Sequence, residues 1–179
     1  MTFASVGDWT EMKAGVYSVA VTPAGESLSN AALGPEDVAV ATDSWVTVAV
    51  IGEVEHGTIA LQAINEDFSP IPAGESRVSL FNAIPDGDPL DLLAGDTVLL
   101  ETIGYPGFTS PDSDGYASVD IVAGTYSITV TPYDANTVTL DVGSIVMGAN
   151  RSYFVAAIGL EADPLYVFTV TDVNEMMGN

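Results

Sequence analysis

Apolar and polar side chains alternate with a period of two along most of this chain. In one clear case Tyr126, Ile128 and Val130 alternate with serine and threonine. This period places every second side chain on the same face of a strand, so each such segment predicts a strand with one buried and one solvated face. The predicted strands lie at residues 9–13, 16–23, 36–41, 45–51 and 58–65, and then at 77–84, 89–93, 97–103, 116–122, 125–133, 137–147, 151–159 and 165–173.

Glycine, proline, asparagine and aspartate separate these segments, and none shows sustained helical periodicity. Many short strands with regular turns predict an all-β sandwich.

A ten-residue repeat sets the number of domains. Residues 14–23 read AGVYSVAVTP and residues 123–132 read AGTYSITVTP. A repeat of this quality indicates two tandem β-sandwich domains. We assign residues 1–68 to a partial first copy, 69–76 to a linker and 77–179 to a complete second copy.

The first copy is incomplete at its N-terminal side. Residues 77–107 of the second copy have no counterpart in it, so two or three strands are missing. A sandwich without them exposes an apolar face and unpaired strand edges. Two explanations stay open: the chain is a piece of a longer protein, or a neighbouring molecule donates the missing strands by β-augmentation.

Charge excludes some classes of partner. The 179 residues include 25 acidic and 3 basic side chains, a formal net charge of -22. Nucleic acid binding needs clustered lysine and arginine, and anionic lipid is disfavoured for the same reason. The remaining polar surface, rich in threonine, serine and glycine, is typical of secreted β proteins, and a salt-loving source is a second explanation of the acidic excess. Cysteine is absent, so no disulfide is expected. No apolar run approaches the ~18 residues of a membrane helix, so we expect no membrane insertion in this segment.

Residues 77–95 read RVSLFNAIPDGDPLDLLAG. They resemble the opening of a cell-surface family called domain of unknown function 4397, whose members typically begin RVxxxHASPDAPAVDVYVNG. The matching positions are Arg77, Val78, Ala83, Pro85, Asp86 and Asp91. Residues 122–130 and 153–159 are similar to the family's later PAGTYxVxV and YTVVAVG segments. Asn82 and Leu93 depart from the usual histidine and tyrosine. The resemblance implies an immunoglobulin-like or transthyretin-like sandwich outside the cytoplasm, in tandem copies on secreted or envelope-attached prokaryotic proteins, with no established activity.

Catalytic chemistry has little support in the sequence. The only histidine is His56, in the expected hairpin turn of residues 55–57. A lone turn histidine is usually solvated, and the chain has neither a glycine-rich phosphate loop nor a nucleophile elbow. We therefore expect no enzymatic activity and no required cofactor.

Calcium is the one cofactor that the sequence leaves open. Aspartates cluster in two turns, and their oxygens are ligands that calcium prefers. The candidate metal ligands are Asp86, Asp88, Asp91, Asp112 and Asp114. The alternative is turn chemistry, in which aspartate accepts hydrogen bonds from nearby backbone N–H groups. For Asp91 an ion pair with Arg77 or Arg151 is a further expectation.

Aromatic side chains recur in both copies. We expect Tyr17 and Tyr126 to pack in the core with their hydroxyls bonded to backbone. A second set packs in the core or forms a sugar-stacking patch: Trp9, Tyr105, Phe108 and Tyr116.

The sequence therefore predicts a structural or adhesive module of a prokaryotic cell-surface or extracellular assembly, self-associating through incomplete sheet edges. Its expected partners are other copies of itself or envelope components. The alternative is a module that binds carbohydrate or another envelope ligand.

Overall fold

The computed structural model of the protein describes residues 3–108, 110–111, 113–133 and 140–174. Within these ranges the chain is built almost entirely of strands, which confirms the predicted all-β fold. The chain divides into two compact units, Met1–Asp67 (unit 1) and Phe68–Asn179 (unit 2). No helix in the described part of the chain is long and apolar enough to cross a membrane.

In its described residues, unit 1 contains four strands and a short 3₁₀ turn at Leu28–Asn30. The strands are β1 (Gly15–Val21), β2 (Leu33–Val40), β3 (Trp45–Ile51) and β4 (Ala60–Glu66). β1 pairs antiparallel with β2, and β3 pairs antiparallel with β4, so unit 1 holds two separate two-stranded sheets. Its most buried apolar side chains are Val38, Ile51 and Ile64. This is a small core, because two-stranded sheets have little apolar surface to bury.

Unit 2 contains eight strands in the described residues. They are β5 (Glu75–Asn82), β6 (Leu90–Ala94), β7 (Thr97–Ile103), β8 (Tyr116–Val122), β9 (Gly124–Pro132), β10 (Leu140–Met147), β11 (Arg151–Leu160) and β12 (Asp163–Asp172). They form two four-stranded sheets, in the orders β10-β9-β6-β7 and β12-β11-β5-β8. All neighbouring strands are antiparallel except β5 and β11, which are parallel.

The two sheets of unit 2 enclose one apolar core. Side chains that alternate along β5, β6, β9 and β11 supply most of it, as the period of two predicts. β5 lies between two strands of its sheet and is buried on both faces, so polar residues such as Arg77 and Ser79 are buried along with Val78 and Leu80. β5 begins directly after a segment whose Phe68 is itself buried in unit 2.

One predicted strand is wrong. Residues 5–13 form no strand, although the pattern predicts one at 9–13. A strand needs a ladder partner, and the corresponding strand of unit 2, β8, pairs only with β5. Within the described residues, unit 1 has no strand that takes the place of β5.

Candidate interaction surface of unit 1

The repeated sequence folds in the same way in both units. The hydroxyl of Tyr17 donates a hydrogen bond of 2.6 Å to the carbonyl oxygen of Lys13. The hydroxyl of Tyr126 donates one of 2.7 Å to the carbonyl oxygen of Val122. Both tyrosines are half-buried, and Tyr126 packs against the core of unit 2, as predicted. The two bonds fix the correspondence: β1 is the counterpart of β9, and β2, β3 and β4 follow as counterparts of β10, β11 and β12.

This correspondence shows which strand edges are open in unit 1. In unit 2, β9 pairs with both β10 and β6, and β11 pairs with both β12 and β5. In unit 1, β1 pairs with β2 alone and β3 with β4 alone, as far as the described residues extend. An unpaired strand edge presents a row of free N–H and C=O groups that can bind another strand.

Burial differs accordingly between the two copies. Ile128 and Val130 on β9 are fully buried, beside Ala94 and Leu92 of β6. Their counterparts on β1, Val19 and Val21, are only half-buried. The missing neighbour therefore leaves apolar surface in contact with water.

The sequence of β3 is that of a central strand. It reads WVTVAVI, apolar on both faces, which is typical of strands buried on both sides. In unit 1, however, β3 has one free edge, and Val48 and Val50 are 38% and 47% exposed. Val16 on β1 is 67% exposed. We call the free edges of β1 and β3, with these three valines, the open surface of unit 1.

Glu11 of unit 1 corresponds to Asp120 of unit 2, which forms an ion pair with the buried Arg77. Lys13 corresponds to Val122 through the tyrosine bonds, so Glu11, two residues earlier, corresponds to Asp120. Asp120 binds Arg77 of β5 through two hydrogen bonds, of 2.7 Å and 2.9 Å. Glu11 is exposed, and within the described residues unit 1 has no counterpart of the strand that carries Arg77.

Glu66 is a residue of unit 1 whose surroundings change its acidity. It ends β4 opposite Trp45, and its carboxylate accepts a hydrogen bond of 2.5 Å from the hydroxyl of Thr47. Burial raises the pKa of Glu66 above its ordinary value of 4.5, and the hydrogen bond from Thr47 partly opposes this.

Of the candidate calcium ligands, Asp86, Asp88 and Asp114 lie in loops and turns of unit 2, and Asp91 lies on β6. Asp86, Asp91 and Asp114 each accept a hydrogen bond from a backbone N–H, those of Glu161, Thr102 and Tyr116 respectively. Asp88 lines a small surface depression beside Ile84 and Leu90. Asp112 lies outside the described residues. Among the residues that the structure describes, no three histidine, aspartate or glutamate side chains form a group able to hold a metal ion. Calcium binding stays a prediction.

The two arginines have carboxylate partners other than Asp91. Arg77 binds Asp120 and also donates a hydrogen bond of 3.0 Å to the carbonyl oxygen of Ser69. Arg151 lies 3.6 Å from Asp172. The carboxylate of Asp91 instead accepts from the backbone at 2.7 Å and links β6 to the adjacent strand β7.

His56 lies in the turn between β3 and β4, where the sequence places it. Its side chain is 69% exposed, and Nδ1 lies 2.9 Å from a carboxylate oxygen of Glu53. The side chain of His56 is therefore exposed to solvent.

The candidate aromatic residues are divided between the two units. Trp9 packs edge-on against Trp45 within unit 1, with ring centroids 5.5 Å apart, and Trp9 remains 40% exposed. In unit 2, Tyr116 stacks on Phe154 at 6.2 Å. Phe108 is exposed and Tyr105 is half-buried.

Asn82 has a structural role that the sequence analysis missed. It is fully buried at the end of β5, where its amide donates to the carbonyl oxygen of Ile103 and its carbonyl accepts from the N–H of Ile84. Two polar bonds thus connect the end of β5 to β7 and to the following turn. In the sequence, this role could have been recognised from the position of Asn82, a polar residue at the end of an apolar segment.

The two units define a class: tandem, all-β domains, of which unit 2 is a complete two-sheet sandwich. The family model of the domain of unknown function (DUF4397) matches residues 1–86 and again residues 76–177, so the chain belongs to that family. The resemblance drawn from the opening motif is thereby confirmed.

Among solved structures, the chain is similar to the C-terminal domain of AlgF from P. aeruginosa, at 11% identity and a TM-score of 0.37. That match covers 55% of this chain and 98% of the AlgF domain. No curated protein matches the chain.

Proposed function

We propose that the protein is a structural module of a prokaryotic extracellular or cell-envelope assembly, joined to neighbouring polypeptides, including other copies of itself, through the open surface of unit 1. The observation that carries this proposal is the pairing difference between the units. Among the strands that the structure describes, β1 and β3 each have one ladder partner, whereas β9 and β11 each have two. The polar composition rich in threonine, serine and glycine and the family resemblance support a location outside the cytoplasm.

Two forces act on association at this surface. Strand pairing and burial of exposed valines favour it, at about 25 cal/mol for each Å² of apolar surface removed from water. The net charge of -22 opposes it, because copies of the chain repel one another. Salt screens the repulsion and leaves apolar burial in place, so association should strengthen as ionic strength rises.

Light scattering over a range of protein and salt concentrations tests this function. The chain should associate at high salt, and the double variant Val48→Lys/Val50→Lys should not, because lysines on an exposed strand block pairing. The matched control is Val146→Lys, since Val146 is 74% exposed on β10 of unit 2. A wild-type chain that stays monomeric in all conditions contradicts the proposed self-association.

Carbohydrate binding is the second candidate. The observation in its favour is the partly exposed Trp9, which rests on Trp45 in the manner of a sugar-stacking platform. A glycan array probed with wild type and Trp9→Ala tests it, with Phe108→Ala as the control on another exposed aromatic. Binding that survives Trp9→Ala, or no binding at all, rejects this site.

A further inference from the structure

We infer that Asp91 holds a bulge in strand β7 and thereby prevents other polypeptides from extending the sheet β10-β9-β6-β7. In the part of the chain that the structure describes, β7 and β10 are the outer strands of this sheet. Each of them contains an extra residue that interrupts its pairing. At each interruption an aspartate carboxylate accepts a hydrogen bond from a backbone N–H. This role is separate from the open surface of unit 1, so the two can be tested apart.

The interruption in β7 lies beside Asp91 of β6. A single residue of β6, Asp91, stands opposite two residues of β7, Glu101 and Thr102. Two residues against one define a β-bulge. Thr102 has a φ of 58°, in the left-handed region, and its N–H donates a hydrogen bond of 2.7 Å to the carboxylate of Asp91. The aspartate opposite the bulge therefore binds the backbone of the bulge itself.

The bulge in β7 depends on this bond because threonine is poorly suited to the left-handed region. A branched Cβ crowds the neighbouring backbone when φ is positive. A hydrogen bond from a backbone N–H to a carboxylate is stronger than one between neutral groups and offsets this strain. In β10 the N–H of Gly143 donates to Asp141 at 2.9 Å, at a φ of 92°. Glycine adopts this conformation without strain, so the bulge in β10 should persist without its aspartate.

The bulge removes backbone groups of β7 from pairing with an incoming strand. The N–H of Thr102 binds Asp91, and the carbonyl oxygen of the next residue, Ile103, accepts a hydrogen bond of 2.9 Å from the fully buried amide of Asn82. Both groups are thus bound within unit 2. A bulge also bends and twists its strand, so a regular strand cannot follow this edge.

The composition of β7 explains why its edge needs such a block. β7 reads TVLLETI, with one charged residue and no proline, a composition that favours pairing between strands of different molecules. Val98 at its start is 41% exposed. In the other sheet of unit 2, β12 pairs with β11 over ten consecutive positions without a shift in register. The bulges therefore belong to the sheet β10-β9-β6-β7 and are not a general feature of unit 2.

Light scattering of the full chain tests the inference in a parent variant, Val48→Lys/Val50→Lys, whose lysines block the open surface of unit 1. Adding Asp91→Ala should cause association at a protein concentration at least about tenfold lower than in the parent. The matched control is Asp114→Ala. Asp114 also accepts from a backbone N–H, at 3.1 Å, but the strand that follows it pairs without a shift in register. Equal association of the two variants overturns the inference.

Two further variants separate the conformation of Thr102 from a general loss of stability. Asp91→Ala/Thr102→Gly should stay as unassociated as the parent, since glycine keeps the left-handed conformation without the aspartate. Asp91→Asn keeps an oxygen acceptor and should also behave like the parent. If the Thr102→Gly change does not suppress association, Asp91 does not act through the bulge and the inference is overturned.

Deletion of Glu101 keeps the test decisive if Asp91→Ala does not fold. The deletion leaves one residue of β7 opposite Asp91, so the pairing becomes regular while the carboxylate stays. This variant should associate, with slower hydrogen exchange of the β7 amides in the associated form. A folded deletion variant that stays monomeric overturns the inference. Asp141→Ala should not associate, because Gly143 keeps its bulge, and association of this variant would show that loss of charge suffices and overturn the role of the bulge.

The inference and the proposed function fail in different ways. A wild-type chain that never associates contradicts the proposed self-association, while association caused by Asp91→Ala still supports the inference. Conversely, wild-type association that the lysines at positions 48 and 50 abolish supports the proposed function, even where Asp91→Ala behaves like Asp114→Ala and overturns the inference.

Discussion

The hydroxyl of Tyr126 reaches back across the start of its own strand and donates to the carbonyl oxygen of Val122, four residues earlier, at 2.7 Å. Tyr17 makes the same bond to Lys13 in unit 1. This shared contact makes the two units comparable residue by residue, because it occurs where the sequences are most alike. It also shows that this local geometry forms whether or not the sheet beside it is complete.

Removing this bond in unit 2 should weaken that unit modestly. Tyr126→Phe keeps the half-buried ring and loses one hydrogen bond, so we expect a loss of about 1 kcal/mol in the free energy of unfolding. Urea unfolding of unit 2 measures it, and Tyr133→Phe, at a more exposed tyrosine, serves as the control. Equal midpoints for wild type and Tyr126→Phe would show that the bond contributes nothing to stability.

The ion pair between Arg77 and Asp120 should matter far more than the one at Arg151. Asp120→Ala leaves the 4%-exposed Arg77 without its carboxylate, and an uncompensated buried charge costs about 3 kcal/mol. Arg151→Ala breaks a longer pair on a half-exposed side chain and should cost at most about 1 kcal/mol. Chemical denaturation of the two variants side by side measures the difference. Similar losses would mean that burial does not decide the strength of these pairs.

Glu66 should make the stability of unit 1 depend on pH. Burial raises its pKa in the folded state above 4.5, so the unfolded state ionises first as pH rises. The stability of unit 1 should therefore fall as pH rises from about 4.5 through the folded pKa, and then level off.

Glu66→Gln keeps an acceptor for Thr47 and removes the charge. The variant should be more stable than wild type at neutral pH and nearly equal to it well below pH 4.5. Thermal unfolding followed across pH measures this, with the exposed Glu55→Gln as the control. A constant difference between variant and wild type at every pH would exclude ionisation as its cause.

Two glycines with the same backbone conformation should tolerate alanine differently. Gly159 and Gly143 have φ values of 91° and 92°, a region that strains any residue with a Cβ, at about 1 kcal/mol. A Cβ on Gly159 would lie 2.8 Å from the carbonyl oxygen of Asp163, whereas one on Gly143 meets nothing within 4 Å. Gly159→Ala should therefore destabilise unit 2 by more than Gly143→Ala in a denaturant titration. Equal losses would show that the β11–β12 turn relaxes without cost.

Calcium binding at the aspartate turns has a direct thermal test. A ligand that binds only the folded state raises the unfolding temperature, so millimolar calcium should stabilise unit 2 if the aspartates hold the ion. Magnesium at the same concentration controls for general screening of the acidic surface. If calcium produces no specific shift, the role of these aspartates is to accept hydrogen bonds from backbone N–H groups.

Some elements could be predicted closely because their signals are local. Alternation and turn residues placed β7 and β8 at their observed limits, and put the other strands of unit 2 within a few residues of theirs. Residues 137–139 of the strand predicted at 137–147 lie outside the described residues. The segment at 9–13 fails for a physical reason: its pattern describes a strand, but a strand exists only when a neighbour takes up its backbone hydrogen bonds. The ion pair between Arg77 and Asp120 could not be predicted from the sequence for a similar reason, because the two residues lie on different strands.

What the sequence determined by itself is the duplication, the all-β character and the face that each side chain takes, because these follow from spacing along the chain. What the tertiary structure decided is which strands are neighbours: that β5 lies between β11 and β8, and that β1 and β3 each keep a free edge in the part of the chain that the structure describes. A period of two specifies a face but not a partner. Partners are chosen by contacts between distant parts of the chain, and those contacts identified the open surface of unit 1.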